Sequence, residues 1–143
     1  MLDNFQILKE EYNPETFETT VVINTNYGAF SGSTAADEID AQYPSQFQGY
    51  EIALAKAQRN WAKTMKLICK QNINTLRGII KQFSNHSKPQ PGCHEAVLVR
   101  RALEEQQKEY ELWTTRIEKL SQYIKNRVVS RDRLVKTYLD KKN

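Results

Sequence analysis

The sequence contains few helix-breaking residues and no long apolar run. Only 5 glycines and 4 prolines occur among its 143 residues, and none of them lies between residues 93 and 143. This distribution predicts a helical C-terminal part. No run of about 18 apolar residues is present, so a transmembrane helix is not expected. The N-terminal residues are acidic and lack a basic region, which predicts that they are not a secretory signal peptide.

Cysteine and histidine are also scarce. Two cysteines, Cys69 and Cys93, do not make a disulfide scaffold and favour a reduced, cytoplasmic setting. With His86 and His94 they are four possible zinc ligands, but their spacing matches no CxxC or HxxxH pattern. The "FSGST" segment lacks the second glycine of a nucleophile elbow, and no phosphate-binding glycine loop is present. We therefore expect a protein that is not an enzyme and has no cofactor or metal.

Acidic residues are absent from residues 56–83, although seven basic residues occur there. Charge is also unevenly divided along the whole chain. Residues 1–55 contain nine acidic residues and one basic residue, whereas the rest of the chain contains 20 basic and eight acidic residues. This asymmetry indicates either an anionic partner or neutralisation of one part of the chain by the other.

A β-hairpin is predicted within the acidic region 1–44. Residues 17–24 alternate between two faces and are rich in β-branched side chains, which is typical of a strand. The segment "NTNYG" supplies turn residues, and residues 29–35 would return as the second strand. Gly32 on that strand predicts a bulge or a close approach by another part of the backbone. A hairpin of two strands is marginal alone, so it must pack on a helix or on a second copy.

Two long helices are predicted to follow. The first spans residues 45–83, the turn 84–92, and the second helix 93–143. The first has one apolar face at Trp61, Met65, Ile68, Asn72, Leu76, Ile79 and Phe83. The second has a heptad seam at Ala96, Val99, Leu103, Gln106, Tyr110, Trp113, Ile117, Leu120, Ile124, Arg127, Arg131, Leu134 and Tyr138.

The predicted fold class is therefore α+β and mostly α, in one domain over residues 1–143. A two-stranded antiparallel hairpin precedes two long antiparallel, coiled-coil-like helices. The second helix is longer than the first, so part of it would lack a partner. Either it breaks near residues 126–132, where Ser130 can cap a new helix, or another chain covers it. The second alternative predicts a homodimer or a higher oligomer.

A basic stripe on the first helix is the first candidate binding surface. Its members recur mainly at three- and four-residue steps and are predicted to face away from the apolar seam. It is either a solvated face, a face screened by the acidic N-terminal region, or a site for phosphates of nucleic acid or nucleotides. The stripe consists of Lys56, Arg59, Lys63, Lys66, Lys70, Arg77 and Lys81.

Two arginines on the heptad seam form a second candidate site. Arg127 and Arg131 occupy positions where Leu or Ile is expected, with Tyr123 and Tyr138 nearby. They are either solvated, paired with acidic residues of the hairpin region, or part of a pocket between chains. A pocket is considered because guanidinium groups bind phosphates and stack on aromatic rings.

The interhelix turn forms a third candidate. It is either an ordinary connection or a site where Phe stacks on a base, Asn reads its edge and Arg holds phosphate. The residues concerned are Phe83, Asn85, His86, His94, Arg100 and Arg101.

Residues 19–57 resemble a module of small proteins from phages and mobile elements of low-GC Gram-positive bacteria. The motifs that carry the resemblance are Gly28, Phe30 and Gly32, then Asp37, Glu38 and Asp40, then Gly49, Ile52 and Ala53. A small N-terminal sheet before two long helices is also similar to the phage Thoeris anti-defence sponge proteins. That resemblance implies binding of a cyclic ADP-ribose signal without cleavage, at sites between protomers. Phe83, Asn85, Arg127 and Arg131 would form such sites.

Three functional hypotheses follow. In the first, an oligomeric viral protein in the host bacterial cytoplasm sequesters a phosphorylated, cyclic nucleotide. In the second, the basic stripe binds DNA or RNA, as an anti-CRISPR or phage regulatory protein would. In the third, the helices form a structural or interaction module. No membrane partner is expected.

Overall fold

The structure is a computed structural model that describes residues 4–16, 18–35, 49–85 and 94–142. No helix within these residues is both long enough and apolar enough to span a bilayer. The chain forms three strands and then two helices. These elements are β1 (Gln6–Asn13), β2 (Glu18–Thr25), β3 (Gly28–Ala35), α1 (Gly49–Asn85) and α2 (His94–Lys142).

The sheet has three antiparallel strands in the order β1-β2-β3, so the predicted two-stranded hairpin is wrong by one strand. The sequence signal of β1 is weak because charged residues at 9–11 break the apolar alternation, and a register shift between Ile7 and Lys9 interrupts its period. A turn signal is nevertheless present. The side chain of Asn13 accepts hydrogen bonds from the backbone N–H groups of Glu15 and Thr16, as Asx turns do.

The predicted hairpin of β2 and β3 is confirmed, with one buried and one exposed face. Val21 and Ile23 are fully buried, whereas Asn24 on the opposite face of β2 is exposed. The turn at Asn26 and Tyr27 is held by the Thr25 side chain, and Gly28 has a φ of 106°, which favours glycine. Phe17 lies outside the described residues.

The chain divides into two compact units. The first, called here the sheet unit, comprises Met1–Trp61 and Arg116–Asn143, and the second, the helix-pair unit, comprises Ala62–Thr115. In the sheet unit the large and small apolar side chains that are buried come from β2, from the alanine-rich start of α1 and from α2. They are Val21, Ile23, Ile52, Ala53, Ala55, Ala57, Trp61, Leu120 and Ile124.

Gly32 allows β3 to lie directly against the backbone of α1. A Cβ added at this position would lie 2.3 Å from both the Ala53 carbonyl oxygen and the Ala57 nitrogen. The predicted close approach is therefore confirmed, and the approaching segment is a helix. Next to this contact, the Asn60 amide donates to the Ser31 carbonyl at 2.7 Å. The sheet is thus held at a fixed height above the first turns of α1.

A polar contact ties β1 to the start of α1. The Tyr50 hydroxyl donates to the Glu10 carboxylate. Burial, followed by this hydrogen bond and the Glu10 charge, raises the pKa of Tyr50 to about 12. On the other face of β1, Lys9 pairs with Glu11 at 2.9 Å. The adjacent residues Glu10 and Glu11 therefore contact different partners, Tyr50 of α1 and Lys9 of β1.

Both helices follow the predicted order, with changes at their bounds. α1 continues to Asn85 rather than 83, and the predicted residues 45–48 lie outside the described part. α2 is continuous from His94 to Lys142, so the proposed break near 126–132 is wrong. The segment contains neither proline nor glycine, and an exposed Ser130 within a helix costs only about 0.5 kcal/mol relative to alanine.

The heptad seam of α2 is confirmed from Ala96 to Arg131, because all its positions there are buried or half-buried, whereas Leu134 is exposed. The apolar face predicted for α1 is only partly right. Met65 is buried as predicted, but Cys69 and Ile73 are buried in place of Ile68 and Asn72. The residues of the predicted face that are half-buried or exposed are Ile68, Asn72, Leu76 and Ile79.

The structural reason for this difference is visible in the helix-pair unit. Its two helical segments run antiparallel, and Asn72 at the edge of the contact donates to Gln106 at 3.2 Å. An amide that makes such a bond remains near solvent. The buried side of α1 in this unit is therefore formed by Cys69 and Ile73, and not by Asn72. The sequence places Asn72 on the periodic face but does not show that it marks the face's border.

The Gly32 contact predicts a strong and local effect of one added methyl group. Gly32→Ala should lower the free energy of unfolding by about 1–3 kcal/mol, because the new Cβ overlaps helix backbone that cannot rotate away. Gly78→Ala is the matched control. Gly78 lies within α1 with open space at its Cβ, so alanine should stabilise by about 0.5–1 kcal/mol. Urea unfolding gives the free energy of unfolding of both variants. Equal changes in Gly32→Ala and Gly78→Ala would contradict the close packing of Gly32 against α1.

The Tyr50–Glu10 contact predicts an alkaline titration. Because the fold favours the neutral phenol, its contribution to stability is complete below about pH 10 and is lost as pH rises toward 12. Glu10→Gln should lower the pKa of Tyr50 toward 10, whereas Glu11→Gln on the opposite face should leave it unchanged. The pKa of Tyr50 is measured by NMR titration of protein with ring-labelled tyrosine, and the Tyr50 signal is assigned by its loss in Tyr50→Phe. A pKa that responds equally to both variants would contradict the assigned contact.

Candidate functional site

An arginine, a tyrosine and a carboxylate meet in the sheet unit. Tyr123 and Arg127 lie one turn apart on α2, and the Arg127 guanidinium carbon lies 5.1 Å from the centre of the Tyr123 ring. This distance is typical of a cation–π contact. Glu51, in the first turn of α1, has its Oε2 atom 3.6 Å from the Arg127 Nη1 atom. Arg127 therefore pairs with an acidic residue, but this residue lies at the start of α1 and not in the hairpin region from which the acid was predicted to come.

A cationic cluster, defined as Lys56, Arg59 and Arg131, lies in the same unit. All three residues are half-buried. Burial lowers the pKa of Lys56 below its ordinary value, and the positive charges of Arg59 and Arg131 lower it further. Arg59 also donates to the Ser121 hydroxyl at 3.5 Å. The structure thus brings residues of two separately predicted sites, the basic stripe and the arginine pair, into one electrostatic cluster.

Several polar atoms around this cluster are buried without hydrogen bonds. Among the residues that the structure describes, Arg59 Nε, Glu51 Oε2 and Gln58 Oε1 have no hydrogen-bond partner. The separation of 3.6 Å between Glu51 and Arg127 is an ion pair, but it is too long for a hydrogen bond. Gln58 is only 2% exposed and lies two turns after Glu51 on the same helix face. Buried groups of this kind are normally satisfied by protein groups or by ordered water, so a further hydrogen-bond partner is expected at these atoms.

The prediction that the basic stripe forms one surface facing away from α2 is wrong. In the helix-pair unit, Lys66 lies over the Tyr110 ring of α2 at 5.2 Å, and in the sheet unit Arg59 contacts Ser121 of α2. The predicted geometry fails because the contact face of α1 is turned toward Cys69 and Ile73, which brings Lys66 to its edge. The stripe residues of the helix-pair unit that remain exposed are Lys63, Lys70, Arg77 and Lys81.

The residues predicted at the interhelix turn fall in the helix-pair unit. Phe83 and Asn85 lie in the last turn of α1, and their side chains are outside the described part of the structure. Arg100 and Arg101 are exposed near the start of α2. His86 lies outside the described residues, as do the side chains of His94 and Tyr138. The predicted grouping at the turn therefore stays a prediction, and the candidate site is that of the sheet unit.

Cys69 is a core group of the helix-pair unit. Its thiol is buried and donates to the Glu109 carboxylate at 3.9 Å. Burial raises the pKa of the thiol above its ordinary value, and Glu109 raises it further, so the neutral form is favoured. Within the described ranges, no three His, Cys, Asp or Glu side chains gather in a way that suits a metal ion.

Two residues of the candidate site are not predicted from the sequence. The sequence identifies Glu51 only as part of the acidic N-terminal region, and it does not single out Ser121. A signal for Glu51 was available, because an acid in the first turn of an amphipathic helix can meet a basic residue near the end of an antiparallel partner. Ser121 has no comparable signal, since a single serine beside a seam position is common on helix surfaces.

Comparisons with known proteins add no assignment to this geometry. No protein-family model, no curated protein and no solved structure matches the chain. The candidate site is therefore defined by the chemistry of its own residues. In the sheet unit these are the ion pair of Glu51 and Arg127 beside Tyr123, and the cationic cluster.

Proposed function

We propose that the protein binds a phosphorylated nucleotide without chemically changing it. One observation carries this proposal: three basic side chains, Lys56, Arg59 and Arg131, are held half-buried where their charges disfavour one another. The lowered pKa of Lys56 means that its charged form is disfavoured there, and a bound anion would favour that form again. Phosphate suits it because guanidinium groups bind phosphate oxygens through paired hydrogen bonds.

The neighbouring aromatic group supports a nucleotide over a simple phosphate. The Arg127 guanidinium lies over the Tyr123 ring. Flat bases bind to such tyrosine and guanidinium surfaces, since both have exposed π faces. A cyclic ADP-ribose isomer combines phosphates with a base and is the ligand that the Thoeris anti-defence resemblance implies. Sequestration of that signal would make the protein a counter-defence factor of a phage, acting in the bacterial cytoplasm.

Self-association is part of the same proposal. α2 exposes large apolar side chains that a second protomer would cover, and a pocket between protomers would enclose the ligand more fully than one chain does. These exposed residues are Val97, Leu98, Leu112, Val129 and Leu134.

A second candidate function is nucleic-acid binding. Lys63, Lys70, Arg77 and Lys81 are exposed and recur at steps of seven and four residues, which keeps them within about 40° on one helix face. No acidic residue lies between positions 56 and 83 to reduce this charge. A cationic face of this kind would contact a phosphate backbone.

Nucleotide binding predicts a specific response to loss of one arginine. Isothermal titration with pyrophosphate, ADP and cyclic ADP-ribose isomers should detect binding that weakens with salt. Arg131→Ala should weaken it about 10- to 100-fold, the loss expected for a charged hydrogen bond to phosphate. Arg133→Ala, an exposed arginine two residues away, is the matched control and should leave binding unchanged. Light scattering gives the protomer number in the same samples.

Three outcomes of that experiment would contradict the proposal. Equal losses in Arg131→Ala and Arg133→Ala would show general charge attraction and not a site. Chromatography that finds the ligand converted after incubation would exclude binding without chemistry. The acidic run Asp37, Glu38 and Asp40 lies outside the described residues. Pyrophosphate could bind the combined variant Asp37→Asn, Glu38→Gln and Asp40→Asn but not the unmodified protein. In that case the acidic run neutralises the cationic cluster, and the cluster is not a ligand site.

The second candidate predicts salt-sensitive binding of a 20-nucleotide DNA or RNA, measured by fluorescence anisotropy. Changing Lys63, Lys70 and Lys81 to glutamate should weaken it at least about 10-fold, because three phosphate contacts become repulsive. The control reverses three exposed lysines of α2, at positions 108, 119 and 125, with the same change in net charge. Equal effects of the two triple variants would mean that net charge, and not this face of α1, attracts the nucleic acid.

A further inference from the structure

The two flanks of α1 in the helix-pair unit differ in charge. Lys66 lies over the Tyr110 ring of α2 and marks one flank. At about 100° per residue, the other basic residues of α1 in this unit lie within about 60° of Lys66. The opposite flank carries two half-buried isoleucines and two exposed polar residues, and none of the four is charged. They are Ile68, Asn72, Thr75 and Ile79.

The polar groups of this uncharged flank already have partners within the chain. The Asn72 amide donates to Gln106 at 3.2 Å, and the Thr75 hydroxyl donates to the Gln71 carbonyl at 3.0 Å. These two donors stay satisfied when the flank is covered. The flank can therefore lose its contact with water at a low cost in free energy.

Exposed leucines of α2 lie on the same side of the unit as this flank. Leu98 and Leu112 are each 47% exposed and are turned by about 120–160° from Tyr110, away from the basic flank. The hydrogen bond that the Cys69 thiol donates to α2 sets the relative level of the two antiparallel helices. Leu112 then lies within about 3 Å of the level of Ile68, and Leu98 within about 3 Å of the level of Ile79.

The residues on this side read the same in both directions along each helix. On α1 the four residues of the uncharged flank are separated by steps of four, three and four. On α2, five exposed residues that all lie at least about 100° from Tyr110 are separated by steps of three, four, four and three. The five are Leu98, Arg101, Glu105, Glu109 and Leu112. The residues of both helices together are called here the symmetric face.

A second copy laid antiparallel on the symmetric face would bring apolar residues together at both ends. Ile68 would lie opposite Ile79 of the second copy. Leu98 would likewise lie opposite Leu112 of the second copy. Burial of these leucines removes exposed apolar surface from water on both copies.

The charges of the symmetric face are complementary in the same arrangement. Arg101 would lie opposite Glu109 of the second copy, and the symmetry forms this ion pair twice. The Glu109 carboxylate can accept from Arg101 as well as from the Cys69 thiol, since a carboxylate has several acceptor positions. Glu105 would face its own copy, which is an unfavourable contact between like charges.

One two-fold axis serves both helices. The midpoint of the α1 pattern lies between residues 73 and 74, and the midpoint of the α2 pattern is Glu105. The contact of Cys69 with α2 puts these two midpoints within about 2 Å of the same level. Two unrelated patterns would not share an axis, whereas the interface of a symmetric homodimer requires one.

We propose that the symmetric face is the surface through which two copies of the chain associate, so that two helix-pair units form an antiparallel four-helix bundle. This inference rests on the self-association included in the proposed function and adds its surface, symmetry and register. The occupant is a second copy because the face is complementary to itself in shape of pattern and in charge.

The surface is tested with two matched leucine variants of the full-length protein, by sedimentation equilibrium. Leu112→Glu should weaken the dimer at least about 10-fold, because two buried leucines of each dimer are replaced by carboxylates. Leu67→Glu makes the same chemical change at an exposed leucine about 100° around α1 from Ile68, and it should leave association unchanged. Thermal unfolding checks that both variants are folded.

The register is tested by cross-linking across the two-fold axis. Glu105→Cys should form a disulfide-linked dimer under mild oxidation, because the two copies of residue 105 face each other at the axis. Glu104→Cys is the matched control, since residue 104 points about 100° away around α2 and should not cross-link. Cys93 is changed to serine in both proteins, and the dimer is detected on a gel without reductant.

The possible failures are distinguishable. A chain that stays monomeric up to about 0.1 mM would overturn both the proposed self-association and this inference, while nucleotide binding is decided separately by isothermal titration. Association that Leu112→Glu leaves intact, or that Leu67→Glu weakens equally, would overturn the symmetric face and leave self-association standing. Equal cross-linking of Glu104→Cys and Glu105→Cys would overturn the two-fold register.

Discussion

The contact between Gly32 of β3 and the backbone of α1 determines where everything else in the sheet unit lies. A strand and a helix ordinarily pack through their side chains. Here a glycine and two alanines remove those side chains, so that main-chain atoms approach directly. The short separation leaves α1 no freedom to rotate about its axis against the sheet. A helix fixed in rotation presents the same side chains to α2 at all times, and these include Glu51 and Arg59.

Fixed rotation has electrostatic consequences. Long basic side chains on a mobile helix would move apart and become solvated. Lys56, Arg59 and Arg131 instead remain half-buried and repel one another. The stability of the hydrophobic contacts in the sheet unit must therefore exceed this repulsion. Burial of the apolar residues of β2, α1 and α2 thus offsets the unfavourable effect of neighbouring positive charges on Lys56.

The sequence predicted those features whose signals are local. Alternation of β-branched residues in β2 placed Val21 and Ile23 on the buried face, and the three–four spacing of α2 placed Leu120 and Ile124 in the seam. Gly32 was correctly identified as a position of close approach, although its neighbour could not be known. Each of these signals is contained within one element and depends only on the period of a strand or a helix.

Features that depend on two elements were predicted poorly. β1 was missed because its pairing with β2 compensates for a sequence of charged residues that has no strand period of its own. The contact face of α1 was predicted about one residue out of place, because Asn72 fits the helical period but hydrogen-bonds to Gln106 at the rim. The ion pair of Glu51 with Arg127 joins residues far apart in the chain, and no periodicity within either helix reports it. A site made of such pairs emerges only when the chain is folded.

The irregularity of β1 also affects how the protein behaves in concentrated solution. An edge strand with regular geometry and apolar side chains invites strands of other molecules to add to it, which leads to aggregation. The register shift after Ile7 bends the strand, and Lys9, Glu10 and Glu11 place charges along it. Both devices discourage the addition of a further strand. Growth of the sheet from molecule to molecule is thereby opposed at this edge.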